Sequence, residues 1–108
     1  MVADCQYPAG SQSCTSAGNI APVGTATQGA GRWGQLDLVG NQTQWNLDFY
    51  APYVTPCADC AHVTNGSSRI TRGGGFGDYV DNMRPPYRDA NGPGLRNDFL
   101  GFRCARSP

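Results

Sequence analysis

At 108 residues the chain holds one domain at most, and a protein of this size buries roughly 60–70 % of the surface its unfolded form exposes, which allows one modest core. Fifteen Gly and eight Pro exclude long regular elements without reaching a disordered composition. Eight basic residues balance eight acidic ones, so nothing draws the chain toward nucleic acid or an anionic membrane, and no apolar run is long enough to span a bilayer.

The first residues, MVADCQYPAGSQSC, lack a basic segment followed by an apolar run and do not form a signal peptide. Five cysteines in so short a chain point to an exported parent protein, extracellular or periplasmic.

Residues 1–31 are rich in Gly, Ala, Ser and Thr and show no sustained periodicity, so irregular chain tied down at Cys5 and Cys14 is expected. Gln44-Trp45-Asn46-Leu47-Asp48-Phe49 alternates polar and apolar residues, the pattern of a half-buried strand. Residues 51–68 return to loop chemistry, with an Asn65-Gly66 turn. Ser68-Arg69-Ile70-Thr71-Arg72 predicts a short strand. It runs into Gly73-Gly74-Gly75, where the backbone must approach something closely or adopt positive φ. Residues 76–98 predict a long polar, aromatic and Arg-rich loop with one helical turn over 79–83, and Phe99-Leu100-Gly101-Phe102-Arg103-Cys104 predicts a final strand.

Few residues here carry chemistry. His62 is the only histidine, too few for a His-based metal enzyme, and reads as a solvated loop residue. Cys57 and Cys60 form a Cys-x-x-Cys with Pro56 before it and no helical pattern after it. That setting favours a small structural disulfide or reduced thiols over redox catalysis or a zinc site shared with Cys5 and Cys14. Cys5 with Cys14 would close a short loop worth roughly 2–3 kcal/mol if oxidised, leaving Cys104 over. Oxygen-bearing groups recur across the Gly40 turn: the Asp37 carboxylate, the Gly40 and Gln42 carbonyls, and the Gln44 amide. Hard cations such as Ca²⁺ take six to eight such oxygens. The glycine trio is not followed by Lys-Ser/Thr, and the chain has no lysine, which argues against a nucleotide. Asp78, Tyr79, Asp81, Asn82, Arg84, Tyr87, Arg88, Asp89 and Arg96 interleave in one irregular loop. Such a loop either presents a surface for a polar ligand or braces itself through internal pairs.

Three blocks resemble a known family. Gly31-Arg32-Trp33-Gly34-Gln35-Leu36-Asp37-Leu38-Val39-Gly40-Asn41, followed by Gln44-Trp45, resembles the "GxxGLYDMxGNVWEW" block of formylglycine-generating enzymes and their sulfatase-modifying-factor relatives. Arg69-Ile70-Thr71-Arg72-Gly73-Gly74-Gly75-Phe76 is similar to their "RVxRGGSW/Y". Arg96-Asn97-Asp98-Phe99-Leu100-Gly101-Phe102-Arg103-Cys104 is similar to their "RNDxIGFRC" ending.

The resemblance implies an α+β, C-type-lectin-like fold with little regular secondary structure, here as the C-terminal part of a longer domain. Surface left open by the missing part implies self-association, as a homodimer or higher oligomer. The resemblance also implies a Ca²⁺ site at Asp37, Gly40, Gln42 and Gln44, either weakened or empty because Gln44 replaces a glutamate. The two cysteines of the family's copper oxidases match Asp78 and Met83, so neither copper binding nor formylglycine-generating activity is expected. The leading expectation is a Ca²⁺-dependent binding or structural module for a small polar ligand or partner, without nucleic acid or membrane. The alternative is a metal-dependent hydrolase of phosphate or sulfate esters.

Overall fold

The computed structural model describes Tyr7 and residues 17–58 and 60–105. Cys5 and Cys14 lie outside the described residues. Four short strands form one mixed sheet in the order β3-β2-β1-β4: β1 is Thr43–Phe49, β2 Arg69–Arg72, β3 Asp89–Asn91 and β4 Leu100–Gly101. β1 and β2 pair antiparallel, as do β2 and β3, whereas β4 lies parallel to β1. The helical part of the expected α+β class is small: among the described residues it comprises the 3₁₀ turns Ala17–Asn19, Thr27–Gly29 and Val80–Met83. The expected final strand is also shorter, since only Leu100 and Gly101 pair with β1. Among the described residues no helix is long and apolar enough to cross a membrane.

The alternation expected in β1 is broken in its middle. Trp45 pairs with Thr71 and Phe49 with Arg69, so four steps along β1 oppose two along β2. Such a bulge bends the strand and releases backbone groups from the ladder. Leu47 is turned outward, 70 % exposed, while Trp45 and Phe49 stay half-buried. The Leu47 carbonyl accepts a hydrogen bond from Arg69 Nη1, and the Arg69 guanidinium lies 3.7 Å from the Phe49 ring centroid.

Arginine performs this service repeatedly. Arg72 Nη1 donates to Pro85 O and Tyr87 O, both at 2.9 Å. Arg88 Nη1 donates to Ala51 O at 2.7 Å, and Arg103 Nη2 to Leu36 O and Asp37 O at 2.9 Å. In a chain with little ladder pairing, loop carbonyls need partners from side chains. A guanidinium offers five rigidly placed donors and spans two loops at once, which an ammonium does not.

The core is correspondingly thin. Among the described residues Ile70 is the only buried large apolar side chain, and its neighbour Thr71 is wholly buried. Thr71 Oγ1 accepts from Asn91 Nδ2 at 2.9 Å, which joins β3 to the sheet by side chains as well as backbone. The glycine trio meets the requirement set by its sequence. Gly73 and Gly74 have φ of 94° and 67°, and a Cβ on Gly73 would stand 2.9 Å from Leu38 O. A Cβ on Gly74 would stand 2.9 Å from Met83 Cγ.

Candidate functional site

Behind the glycine trio lies a small pocket of about 130 Å³ whose walls include Thr43, Thr71, Arg72, Asp78, Tyr87 and Asp89. Gly74, Asn82, Asn91 and Phe99 complete the lining. The lining draws on β1, β2 and β3 and, through Asn82, on the Val80–Met83 turn. Asp78 is fixed by three donors: Gly75 N at 2.6 Å and Thr43 Oγ1 at 3.3 Å on Oδ2, and Asn82 Nδ2 at 3.5 Å on Oδ1. The last contact is long, so Oδ1 keeps acceptor capacity. Asp89 Oδ1 accepts from Ala90 N at 2.8 Å. Desolvation, then the charges of Asp89 and Asp78, push the Tyr87 phenol above its ordinary value. The Arg72 guanidinium on the wall is spent on Pro85 O, Tyr87 O and, at 2.9 Å, the Tyr53 hydroxyl.

The pocket gathers Asp78, Asn82, Tyr87 and Asp89 from the expected ligand loop but not the rest. Asp81 and Arg84 pair with each other at 2.9 Å in solvent, an arrangement of little energetic weight. Tyr79 is exposed beside them. Arg88 lies over Tyr50 and Tyr53. Arg96 lines a separate open groove of about 630 Å³ with Trp45, Leu47, Leu95 and Phe102. The strand residues Thr43, Thr71 and Arg72 were not singled out by sequence. Their signal was position alone, since each sits in a strand that feeds the glycine trio.

The other candidate loop, residues 36–44, turns through positive φ at Asp37, Gly40 and Asn41. Asn41 grips the backbone of Ala21 with both ends of its amide, at 2.7 and 3.1 Å. Asp37 Oδ2 accepts from Gly24 N at 2.8 Å. Gly40 O accepts from Gln42 N at 2.8 Å. Gln42 Nε2 donates to Asp98 O at 3.1 Å. Gln44 Nε2 donates to Asp37 O at 2.7 Å, and Gln44 Oε1 accepts from Arg103 Nε at 2.8 Å. So arranged, the Gln44 end of the set does not fit a hard cation, because the amide turns its donor toward Asp37 O and its oxygen is taken by the Arg103 guanidinium. Among the described residues no three His, Cys, Asp or Glu side chains assemble to hold a metal. Cys57 and Cys60 form a disulfide, Cys104 is an exposed thiol, and His62 is exposed on its loop.

A family model for the sulfatase-modifying factor enzyme 1-like domain matches residues 3–108. The chain belongs to that family. Among the relatives of this sulfatase-modifying-factor-like domain is the serine/threonine-protein kinase pkn1 of Chlamydia caviae, 30% identical over 113 residues that cover 97% of this chain and 18% of the relative. The pkn1 protein of Chlamydia pneumoniae is 30% identical over 114 residues, 98% of this chain and 18% of that protein. Hercynine oxygenase of Mycolicibacterium smegmatis is 29% identical over 96 residues, 79% of this chain and 22% of that enzyme. The sulfatase-modifying-factor-like domain thus spans about a fifth of the length of these curated relatives. No solved structure matches it. Asp78 caps the Gly75 amide and walls the pocket in this domain.

Proposed function

We propose that the chain is a non-oxidase binding module of its family, with a C-type-lectin-like scaffold, and that the pocket beside the glycine trio takes the end of a small organic cation. An ammonium group is the class that suits it. The observation that carries this reading is the lining itself: the carboxylates of Asp78 and Asp89 and the Tyr87 phenol border one small space, while the donors of the guanidinium on its wall are already committed. The phenol and the free carboxylate lone pairs offer acceptors to N–H donors. A volume of about 130 Å³ admits a headgroup rather than a whole ligand. The Cys57–Cys60 disulfide supports an exported parent, where such a bond persists. Ester hydrolysis at a metal has no supporting observation and is not part of the proposal.

The test is amide-resolved NMR of the folded chain titrated with n-propylammonium, with n-propanol and propionate as controls. Shifts at Tyr87, Asn82 and Asn91 are expected for the ammonium alone, and their loss in Asp89→Asn. Equal shifts with propanol, or none with ammonium through the millimolar range, would defeat the proposal.

A further inference from the structure

The side-chain amide of Gln44 has a fixed direction, and its neighbours dictate it. Arg103 Nε lies 2.8 Å from one end of that amide, and arginine has only donors to offer, so this end is the oxygen. The other end, Nε2, therefore faces the loop, where it donates to Asp37 O at 2.7 Å. That carbonyl also accepts from Arg103 Nη2 at 2.9 Å, which uses both of its lone pairs. The Asp37 carboxylate turns away to Gly24 N. The mouth of the loop is thus closed by N–H groups.

Turning the amide round does not open it to a cation, because Nε2 hydrogens would then oppose Arg103 Nε–H. A glutamate at this position escapes the conflict. One carboxylate oxygen accepts from Arg103 while the other faces the loop, so guanidinium and metal are compatible with Glu and incompatible with Gln. Gln44 also brings no charge to offset a divalent ion.

We propose that Gln44 determines which cation closes the 36–44 loop. As Gln it commits the loop to the Arg103 guanidinium and its own amide donor. As a carboxylate it would commit the loop to a hard divalent ion of the Ca²⁺ class. The inference rests on this loop alone and is independent of the ligand pocket.

Thermal unfolding of the full chain, in chelator and in excess CaCl₂, tests it, with Tb³⁺ luminescence as a second readout of ion entry. The natural chain should unfold at the same temperature in both media. Gln44→Glu should unfold several degrees higher in CaCl₂ than in chelator and should sensitise Tb³⁺ emission. Arg103→Gln, which frees the Gln44 amide to turn, should unfold earlier in chelator and recover part of the loss in CaCl₂. A Ca²⁺-induced rise in the natural chain as large as in Gln44→Glu would overturn the proposal. So would a folded Gln44→Glu that ignores Ca²⁺. If Gln44→Glu does not fold, one Ca²⁺ bound per natural chain overturns the proposal, and its absence together with the Arg103→Gln recovery sustains it.

Discussion

The Arg88 guanidinium lies across the ring of Tyr53, 3.9 Å from its centroid, while Arg72 donates to the hydroxyl of the same tyrosine at 2.9 Å. One exposed aromatic is thus gripped on its face and at its edge, and the loop that carries it is pinned to the loop around Pro85 and Tyr87. The two grips separate by mutation. Tyr53→Phe removes the edge contact and should cost about 0.5–1.5 kcal/mol in urea unfolding. Tyr53→Ala should cost about 0.5–1 kcal/mol more, the usual size of an exposed cation–π contact. Equal losses would mean that the ring face contributes nothing.

Thr71→Val is the sharpest probe of the interior. It keeps the shape of a wholly buried side chain and removes the acceptor of Asn91 Nδ2. The expected loss is about 1–3 kcal/mol, because a half-buried donor is left without its partner. Adding Asn91→Ala should then cost less than it does alone, and a double-mutant cycle in urea reads the difference. Strict additivity would separate β3 from the core.

The Tyr87 phenol sets the alkaline behaviour. Its proton is held more tightly in the folded state, through desolvation and the charges of Asp89 and Asp78. A group raised in this way contributes stability that is full below its unfolded value and is lost as pH rises through its folded value. Phenolate absorbance should therefore show a component ionising above the ordinary value of 10.0 that is absent in Tyr87→Phe. Asp89→Asn should bring that midpoint down, whereas an unmoved midpoint would exclude the Asp89 charge as a cause.

Self-association is expected through the groove floored by Trp45 and rimmed by Leu47, Leu95 and Phe102. Leu47 and Phe102 are 70 % and 78 % exposed, and the described residues bury so little apolar surface that a second copy is the occupant with most to gain. Light scattering should give the mass of a dimer, and Leu47→Glu should return it to that of one chain. A monomer at all concentrations would refute this.

β1 was legible because polar and apolar residues alternate in its sequence, β2 as a short run leading into the glycine trio, and the trio because only glycine tolerates such approach. β3 was not legible: Asp89-Ala90-Asn91 has neither β propensity nor alternation, and it is a strand because β2 and Thr71 hold it there. The outward turn of Leu47 was hidden for a related reason, since a bulge is set by register against a partner strand. Of the pocket, the loop residues Asp78, Asn82, Tyr87 and Asp89 were visible as a polar cluster. Thr43, Thr71 and Arg72 were not, because their contribution depends on the face of the sheet the loop folds across.

The arginine ties have a consequence for ionic strength. Arg69, Arg72, Arg88 and Arg103 donate to backbone carbonyls, a phenol hydroxyl and an amide, all of them neutral. The ion pair observed among the described residues, Asp81 with Arg84, sits in solvent and holds nothing together. Screening weakens attractions between opposite charges and has little purchase on a charge bound to a dipole at contact distance. A fold so rich in guanidinium groups should therefore unfold at nearly the same temperature in dilute buffer and in molar sodium chloride.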